Sequence, residues 1–238
     1  MRKLWIVGGI VVVLAVAAAG YLLYAPQPEP VAPATAASAV ESGSAQPAAQ
    51  TAAGSAAAAD QPQVQPDGRI QGDPAAPITV IEYASLTCPH CATFHTQTLP
   101  QLKSSYIDKG QVRLVFRDFP LDRLALKASM LARCVPEDRY FAMLDVLFRS
   151  QSEWSRAADP IAALSQIGRT AGLDQATIDA CLEDQAVQDD IVAGIQAAQA
   201  EFQIESTPTI IVNGQKHAGA LSFEEMDRIL QDLPPDNS

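Results

Sequence analysis

The chain has 238 residues, of which 48% are hydrophobic, and a formal net charge of −11 at pH 7. This length suits one domain of ordinary size together with an additional segment. The acidic excess argues against nucleic acid or an anionic lipid surface as a partner, because both carry negative charge of their own.

The N-terminal segment, residues 1–24, predicts a single-pass anchor in the cytoplasmic membrane. Residues 4–24 carry no charge, and as a helix this run would be about 31 Å long, which matches a bilayer core. Arg2 and Lys3 precede it, and the next basic residue is Arg69, so the positive-inside rule places the rest of the chain in the periplasm. A cleaved signal peptide is the alternative, with the alanines at 17–19 as its cleavage site. Either alternative places the bulk of the chain where disulfides persist.

Residues 25–67 consist mainly of Ala, Pro, Gln, Ser and Thr. A segment with so little apolar surface to bury is expected to be a disordered linker. Its root-mean-square reach as a flexible chain would be about 35–40 Å. The folded part is therefore expected to begin near residue 68.

Residues 68–238 predict an alternation of strands and helices with a long helical block in the middle. In chain order, the sequence predicts a strand at 78–83, a helix at 88–107 kinked at Pro100, a strand at 112–116, helices at 122–135, 136–150, 160–171, 174–183 and 187–202, and a strand at 209–212. Asn213 and Gly214 favour a hairpin turn into a return strand at 215–218. Ser222 and Glu225 form the capping box of a last helix.

Two cysteines, Cys88 and Cys91, stand three residues apart in the sequence CPHC at the predicted start of a helix. A c-type haem site is excluded because no histidine follows the second cysteine directly. A tetrahedral zinc site would need two further ligands, for which His95 and a distant Cys134 or Cys181 are available. A buried structural pair is also possible. No metal site is favoured, because the chain has no second CxxC and no HxxxH to complete one.

A redox-active dithiol explains more of this motif. Cys88 would lie at the N-terminal end of a helix, where free amide N–H groups and the helix dipole stabilise a thiolate. Pro89 suits the first helical position because it lacks an N–H. His90 adds a side chain that favours the anion further. Cys88 is expected to be the exposed nucleophile, and Cys91, one turn along and less exposed, the resolving thiol.

The remaining histidines and aromatic residues are expected to have structural roles. His95 and His217 are predicted to lie on a helix surface or in a loop rather than to act as ligands. Trp154 and the pair Tyr140 and Phe141 are predicted to belong to the core of the helical block.

Four stretches, in this order, resemble a known family: GDPAAPITVIEY at 72–83, CPHC at 88–91, RDFPL at 117–121 and STPTIIVNG at 206–214. The chain is similar in these stretches to the DsbA-like thioredoxin-fold oxidoreductases. The resemblance spans nearly all of residues 68–238. It implies an α/β fold in which a helical domain, here about residues 122–203, is inserted into a thioredoxin domain.

The resemblance also implies further site residues. Glu82 occupies the position of a buried acid beneath the cysteines, which would exchange a proton with Cys91; an edge-strand glutamate facing water is the alternative. Thr207 and Pro208 match the cis-proline loop, where the Thr207 backbone would pair with an extended substrate. An ordinary trans proline is the alternative. The best-known oxidases have valine where this chain has Thr207, which leaves the direction of the redox reaction open.

The other two cysteines, Cys134 and Cys181, are 47 positions apart in the helical block. Four cysteines allow three pairings, and the CPHC spacing favours Cys88 with Cys91, which leaves Cys134 with Cys181. Several DsbA-like relatives carry a second disulfide in this block, which implies a structural bond here. Two buried free thiols are the alternative.

The resemblance therefore implies an enzyme, a membrane-tethered thiol:disulfide oxidoreductase. We expect an oxidase that donates the Cys88–Cys91 disulfide to exported proteins with free cysteines and needs no cofactor. It would be reoxidised by a membrane partner of the DsbB or vitamin-K-epoxide-reductase-like kind. An isomerase or reductase kept reduced by another membrane protein, or a non-enzymatic metal carrier or chaperone on the same fold, is the alternative.

Overall fold

The computed structural model describes residues 69–234. The predicted anchor at 1–24 and the predicted linker at 25–67 lie outside these residues. Within residues 69–234, no helix has both the length and the hydropathy needed to cross a bilayer.

A five-stranded mixed sheet organises the described part of the chain. Its strands are β1 (Arg69–Gln71), β2 (Ile78–Ala84), β3 (Val112–Asp118), β4 (Thr209–Val212) and β5 (Gln215–Ala218). The strand order is β1-β3-β2-β4-β5; β2 and β3 are parallel, and the other neighbours are antiparallel. The sequence predicts four of these strands. It misses β1, whose three residues are too few to show a strand pattern.

Strand β2 lies at the centre of the sheet and leads into the CPHC motif. All its residues after Ile78 are buried, as expected for a strand covered on both faces. Its side chains alternate between the two faces, so Val80 and Glu82 point to one side and Ile81 and Tyr83 to the other. Glu82 is the one carboxylate in this apolar run and is fully buried.

Helix α1 follows β2 and covers residues 89–107 in four consecutive segments. Pro89–Thr93 and Leu99–Leu102 are α-helical, and Phe94–Thr98 and Lys103–Ile107 are π-helical. Pro100 lies in the first turn of the second α segment, directly after a wide π turn. Because proline removes one N–H from the helical ladder, a locally widened helix accommodates it where the sequence predicts a kink.

The inserted block is helical throughout. It contains α2 (Arg123–Arg133), a 3₁₀ turn (Glu137–Arg139), α3 (Tyr140–Arg149), α4 (Gln151–Trp154), α5 (Pro160–Thr170), α6 (Gln175–Glu183) and α7 (Gln185–Phe202). Aspartates cap α2, α5, α6 and α7 by accepting backbone N–H groups, which explains why these boundaries are readable in the sequence. Helix α4 was not predicted. After the sheet, α8 (Phe223–Gln231) begins with the predicted capping box of Ser222 and Glu225.

The largest apolar core lies between the sheet domain and the insertion. It includes Trp154 and Tyr140, as predicted, and both cysteines of the CPHC motif. The site therefore lies where the insertion packs on the start of helix α1.

Candidate active site

Cys88 is the N-cap residue of helix α1. Its backbone is extended, with φ −79° and ψ 119°, and Pro89 follows in the first turn, as predicted. The Cys88 N–H donates to the Ser85 carbonyl at 3.0 Å, which closes the short loop from β2. Cys88 is only 7% exposed, so the expectation of a well-exposed nucleophile was wrong; the walls of the site cover most of the residue. Its exposure still exceeds that of Cys91, which has none.

The two thiols are free, and their environments separate their pKa values. A hydrogen bond from the Cys91 side chain is the largest cause that lowers the pKa of Cys88, to about 5. The Thr207 side chain and the backbone N–H groups of Cys91 and His90 lower it further, while burial opposes them. At neutral pH Cys88 is therefore a thiolate, as expected of a cysteine at a helix N-terminus.

Cys91 behaves in the opposite way. Burial is the largest cause that raises the pKa of its thiol, and the hydrogen bond to Cys88 and the negative charges of Glu82 and Cys88 raise it further. Cys91 therefore keeps its proton unless a base removes it. One nucleophilic thiolate and one protonated thiol is the division of labour that disulfide exchange requires.

The side chains of Pro89 and His90 are exposed at the mouth of the site. His90 contributes to the lowered pKa of Cys88 through its backbone N–H. The effect of its imidazole on the anion stays a prediction. Next to this mouth, Thr87 donates to Asp122 at 2.6 Å, which ties the loop before Cys88 to the N-cap of α2.

The peptide bond between Thr207 and Pro208 is cis, as the sequence predicts. Cys88 Sγ lies 3.3 Å from the Thr207 carbonyl oxygen, to which the thiol donates when it is protonated. The cis bond thus brings the chain before β4 against the reactive sulfur. The Thr207 hydroxyl is buried and, apart from the interaction that lowers the Cys88 pKa, has no hydrogen-bond partner among residues 69–234.

Glu82 lies beneath the cysteines, fully buried, so the edge-strand alternative is excluded. Its Oε2 lies 2.8 Å from Nε2 of His95, which is itself only 4% exposed. The prediction of His95 as a surface residue was wrong. The spacing contained the signal, because a residue four positions after Cys91 on a helix lies on the same face.

Gln151 is a site residue that the sequence does not reveal. This buried side chain donates from Nε2 to the carbonyl oxygens of Leu86 and Cys88, each at 2.9 Å. It comes from α4, about sixty positions further along the chain, and no local pattern marks it. By contrast, His217 lies on β5, paired with Ile210 of β4 and outside the site.

Cys134 and Cys181 are joined in a disulfide, the pairing that the sequence analysis expects. Cys134 is the C-cap of α2, and Cys181 lies within α6, so the bond connects two helices of the insertion. In the part of the chain that the structure describes, no group of three or more His, Cys, Asp or Glu residues could hold a metal ion. His95, the third ligand of the zinc alternative, is engaged by Glu82.

An N-cap cysteine with a buried partner one turn later, facing a cis-proline loop on a mixed sheet, defines a dithiol protein of the thioredoxin class. Residues 64–232 match the family model described as Thioredoxin. The crystal structure of Wolbachia pipientis alpha-DsbA1 is similar, with a TM-score of 0.66 and 33% identity, over 71% of this chain and 92% of that chain. The chain belongs to the DsbA-like members of the thioredoxin family.

The chain is also similar to a Rickettsia protein and, in its fold, to BdbD from Bacillus subtilis. A Rickettsia bellii (strain RML369-C) protein named "Putative protein-disulfide oxidoreductase" is 31% identical over 153 residues, which are 64% of this chain and 59% of that protein. The chain thus matches less than two thirds of that relative's length. BdbD from Bacillus subtilis, 20% identical, has the same fold, with a TM-score of 0.61 over 69% of this chain and 91% of that chain. The predicted thioredoxin fold with a helical insertion is confirmed.

Proposed function

We propose that this protein is a thiol:disulfide oxidoreductase, and that it works as an oxidase that donates the Cys88–Cys91 disulfide to proteins with free cysteines. One observation carries the proposal. The Cys88 pKa is lowered to about 5, while Cys91, one turn behind, is buried and keeps its proton. A stabilised thiolate favours the reduced protein, and a disulfide whose reduced form is stabilised is a strong oxidant, as in DsbA itself.

The reaction begins with the oxidised protein. A substrate thiolate attacks Cys88 Sγ, the Cys88–Cys91 bond breaks, and Cys91 leaves and takes up a proton. A second substrate thiolate then attacks the substrate sulfur of the mixed disulfide, and Cys88 leaves as a thiolate. The substrate loses two electrons and gains a disulfide, and the protein gains both electrons as a dithiol. The lowered pKa of Cys88 makes it the better leaving group in the second step.

The cis-proline loop is the proposed substrate-binding edge. The Thr207 backbone lies beside Cys88 Sγ, before strand β4 begins at Thr209. An extended peptide that pairs with this backbone would present its cysteine to Cys88. Pro208 cannot donate a backbone hydrogen bond, so recognition would depend on Thr207.

The proposed location is the periplasmic side of the cytoplasmic membrane. Residues 1–24 would anchor the chain, and residues 25–67 would tether the catalytic domain. Support comes from the uncharged run at 4–24 and from the disulfide between Cys134 and Cys181, a bond typical of oxidising compartments. Every turnover leaves the protein reduced, so a membrane oxidant of the DsbB or vitamin-K-epoxide-reductase-like kind is the proposed partner.

The decisive experiment is the reduction potential of the Cys88–Cys91 couple in the full-length protein, equilibrated against glutathione buffers and read by thiol alkylation. A potential above about −150 mV supports an oxidase. A potential below about −230 mV overturns the oxidase and favours a reductase or isomerase, with Thr207 as the first residue to replace by valine. A Cys88→Ser variant separates enzymatic from chaperone action, because it abolishes exchange and leaves chaperone binding intact.

A further inference from the structure

The buried carboxyl of Glu82 has one engaged and one free oxygen. Its Oε2 contacts His95 Nε2 at 2.8 Å, and its Oε1 has no hydrogen-bond partner within residues 69–234. Glu82 also interacts with the Cys91 thiol, whose pKa its negative charge raises. Glu82 Oε1 is therefore free to accept the proton that the Cys91 thiol loses when its sulfur attacks Cys88 Sγ.

The His95 ring is held in one orientation by aromatic neighbours. It stacks on Phe148, with ring centroids 4.0 Å apart, and packs edge-on against Phe94 and Phe116. The ring cannot turn away from Glu82 without displacing these buried side chains. Because Nε2 is committed to Glu82, Nδ1 is the nitrogen left for any other exchange.

His95 also lines a cavity of about 330 Å³. Residues Gln71, Pro100, Lys103, Phe141, Asp145 and Arg149 also line it. Arg149 and Pro100 are exposed, so the cavity opens to the protein surface. Its charges are paired, because Arg149 binds Asp145 at 2.7 Å and Lys103 binds Asp108. The cavity is therefore open to solvent and carries no strong net charge of one sign.

We propose that His95 is a positioning residue that fixes Glu82 beneath Cys91 and carries protons between Glu82 and the water of this cavity. The inference rests on the thiol–disulfide exchange proposed above. It adds a route by which the Cys91 proton leaves the protein on the side away from the substrate.

The step concerned is closure of the mixed disulfide when the reduced protein is oxidised. Cys88 thiolate first attacks glutathione disulfide, which forms a Cys88–glutathione bond and releases one glutathione thiolate. Cys91 Sγ then attacks Cys88 Sγ, and the second glutathione leaves as a thiolate. The route starts from a doubly protonated His95 beside the Glu82 carboxylate: the Cys91 proton enters the pair at Glu82 Oε1, and the Nδ1 proton of the imidazolium leaves to the water of the cavity, so that His95 stays protonated on Nε2. The proton count of the pair is unchanged, and the electrons pass from the dithiol to glutathione disulfide.

The groups that face this route determine its pH dependence. They are Glu82 from β2, Cys91 and Lys103 from α1, and Asp145 and Arg149 from α3; the Tyr140 hydroxyl interacts with Glu82 from a distance. With the relay in place, a group inside the protein takes the Cys91 proton, so the closure rate depends only weakly on pH. Without it, Cys91 must ionise unaided, and the closure rate rises about tenfold per pH unit, as the thiolate fraction does below a pKa.

The test uses the full-length protein, mixed with glutathione disulfide and quenched by alkylation at short times. Mass analysis then gives two rates, attack by Cys88 and closure by Cys91. His95→Gln keeps a hydrogen-bonding group near Glu82 but cannot take up and release a proton, and His95→Phe keeps an aromatic ring in the same packing. The other two variants are Glu82→Gln and the double variant Glu82→Gln/His95→Gln. If His95→Phe fails to fold because Glu82 is left alone, His95→Gln and the double variant still decide the question.

We expect closure to slow at least about tenfold in His95→Gln, less than the roughly 10²–10⁴-fold cost of losing a general base outright because Glu82 remains. The closure rate of this variant should keep rising with pH. Attack by Cys88 should stay near the wild-type rate. In the double variant, His95→Gln should add nothing to Glu82→Gln, because His95 acts through Glu82. Closure of His95→Gln at the wild-type rate and pH profile overturns this inference and leaves the proposed function standing. A wild-type protein that forms no Cys88 mixed disulfide removes both.

Discussion

The side-chain amide of Gln151 lies 2.9 Å from the backbone carbonyl oxygen of Cys88 and donates a hydrogen bond to it. The same nitrogen donates to Leu86 at 2.9 Å. Gln151 is the first residue of α4 and is 7% exposed. One buried side chain of the insertion thus binds two backbone carbonyl groups, those of Leu86 and Cys88, in the loop that positions the reactive cysteine.

Replacing Gln151 by alanine should lower the free energy of unfolding by about 1–3 kcal/mol. The Cys88 carbonyl keeps its second donor, the Ala92 N–H at 3.2 Å, whereas the Leu86 carbonyl loses the amide that reaches it. Urea denaturation of the reduced protein gives the value. Gln175→Ala is the matched control, because Gln175 is an exposed first residue of α6. Equal losses in the two variants would show that Gln151 does not fasten the loop.

Elements with local signals are predictable in this chain. The aspartate caps of the insertion, the Asn213–Gly214 turn and the capping box at Ser222 each depend on residues within a few positions. The lowered pKa of Cys88 is local in part, because the Cys91 side chain and the backbone N–H groups of His90 and Cys91 belong to the same motif, whereas Thr207 lies 119 positions away.

Features that depend on distant contacts are not predictable in the same way. His95 is a polar residue that is buried by contacts with distant parts of the chain, among them Glu82 of β2 and Phe148 of the insertion. Gln151 reaches Cys88 across 63 positions. Strand β1 exists because β3 offers it an edge, and its own residues carry no strand pattern. The burial of His95, the contacts of Gln151 and the formation of β1 all depend on tertiary packing, which cannot be read from the local pattern of a single sequence.

Reduction of the Cys88–Cys91 disulfide should stabilise the fold more strongly as pH rises from 5 to 9. The folded pKa of Cys88 is about 5, below its ordinary value of 9.0, so its contribution is fully present above pH 9 and is lost as pH falls through 5. The pKa of Cys91 is raised, so its own effect begins above this window. Thermal unfolding of the oxidised and reduced proteins at pH 5, 7 and 9 measures the difference. The Cys88→Ser variant, which cannot form this disulfide, should lack the rise in stability between pH 5 and 9 that the reduced wild-type protein gains from its thiolate. A reduced wild-type protein whose advantage over the oxidised protein shrinks towards pH 9 would contradict the assignment.

Removal of the disulfide in the insertion should cost about 3–4 kcal/mol of unfolding free energy, because it releases a loop constraint of 47 positions in the unfolded chain. The double variant Cys134→Ala/Cys181→Ala, unfolded in urea, gives the measurement. Cys88→Ser/Cys91→Ser, compared with the wild-type protein in which the Cys88–Cys91 bond is formed, is the control, since a bond across four residues constrains the unfolded chain far less. A loss below about 1 kcal/mol in the first variant would mean that helix packing alone holds α2 and α6 together.

Two glycines within helices of the insertion should respond oppositely to alanine. A Cβ on Gly168 of α5 would lie 2.9 Å from Ile178 and 3.1 Å from Leu131, and both of these side chains are fully buried. Gly168→Ala should therefore destabilise the fold by about 1–3 kcal/mol through overpacking. A Cβ on Gly194 of α7 meets nothing within 4 Å among the described residues, so Gly194→Ala should stabilise the fold by about 0.5–1 kcal/mol through helix propensity alone. Urea denaturation of both variants tests the pair; a gain in stability from Gly168→Ala would show that α2 and α6 can separate to admit a methyl group.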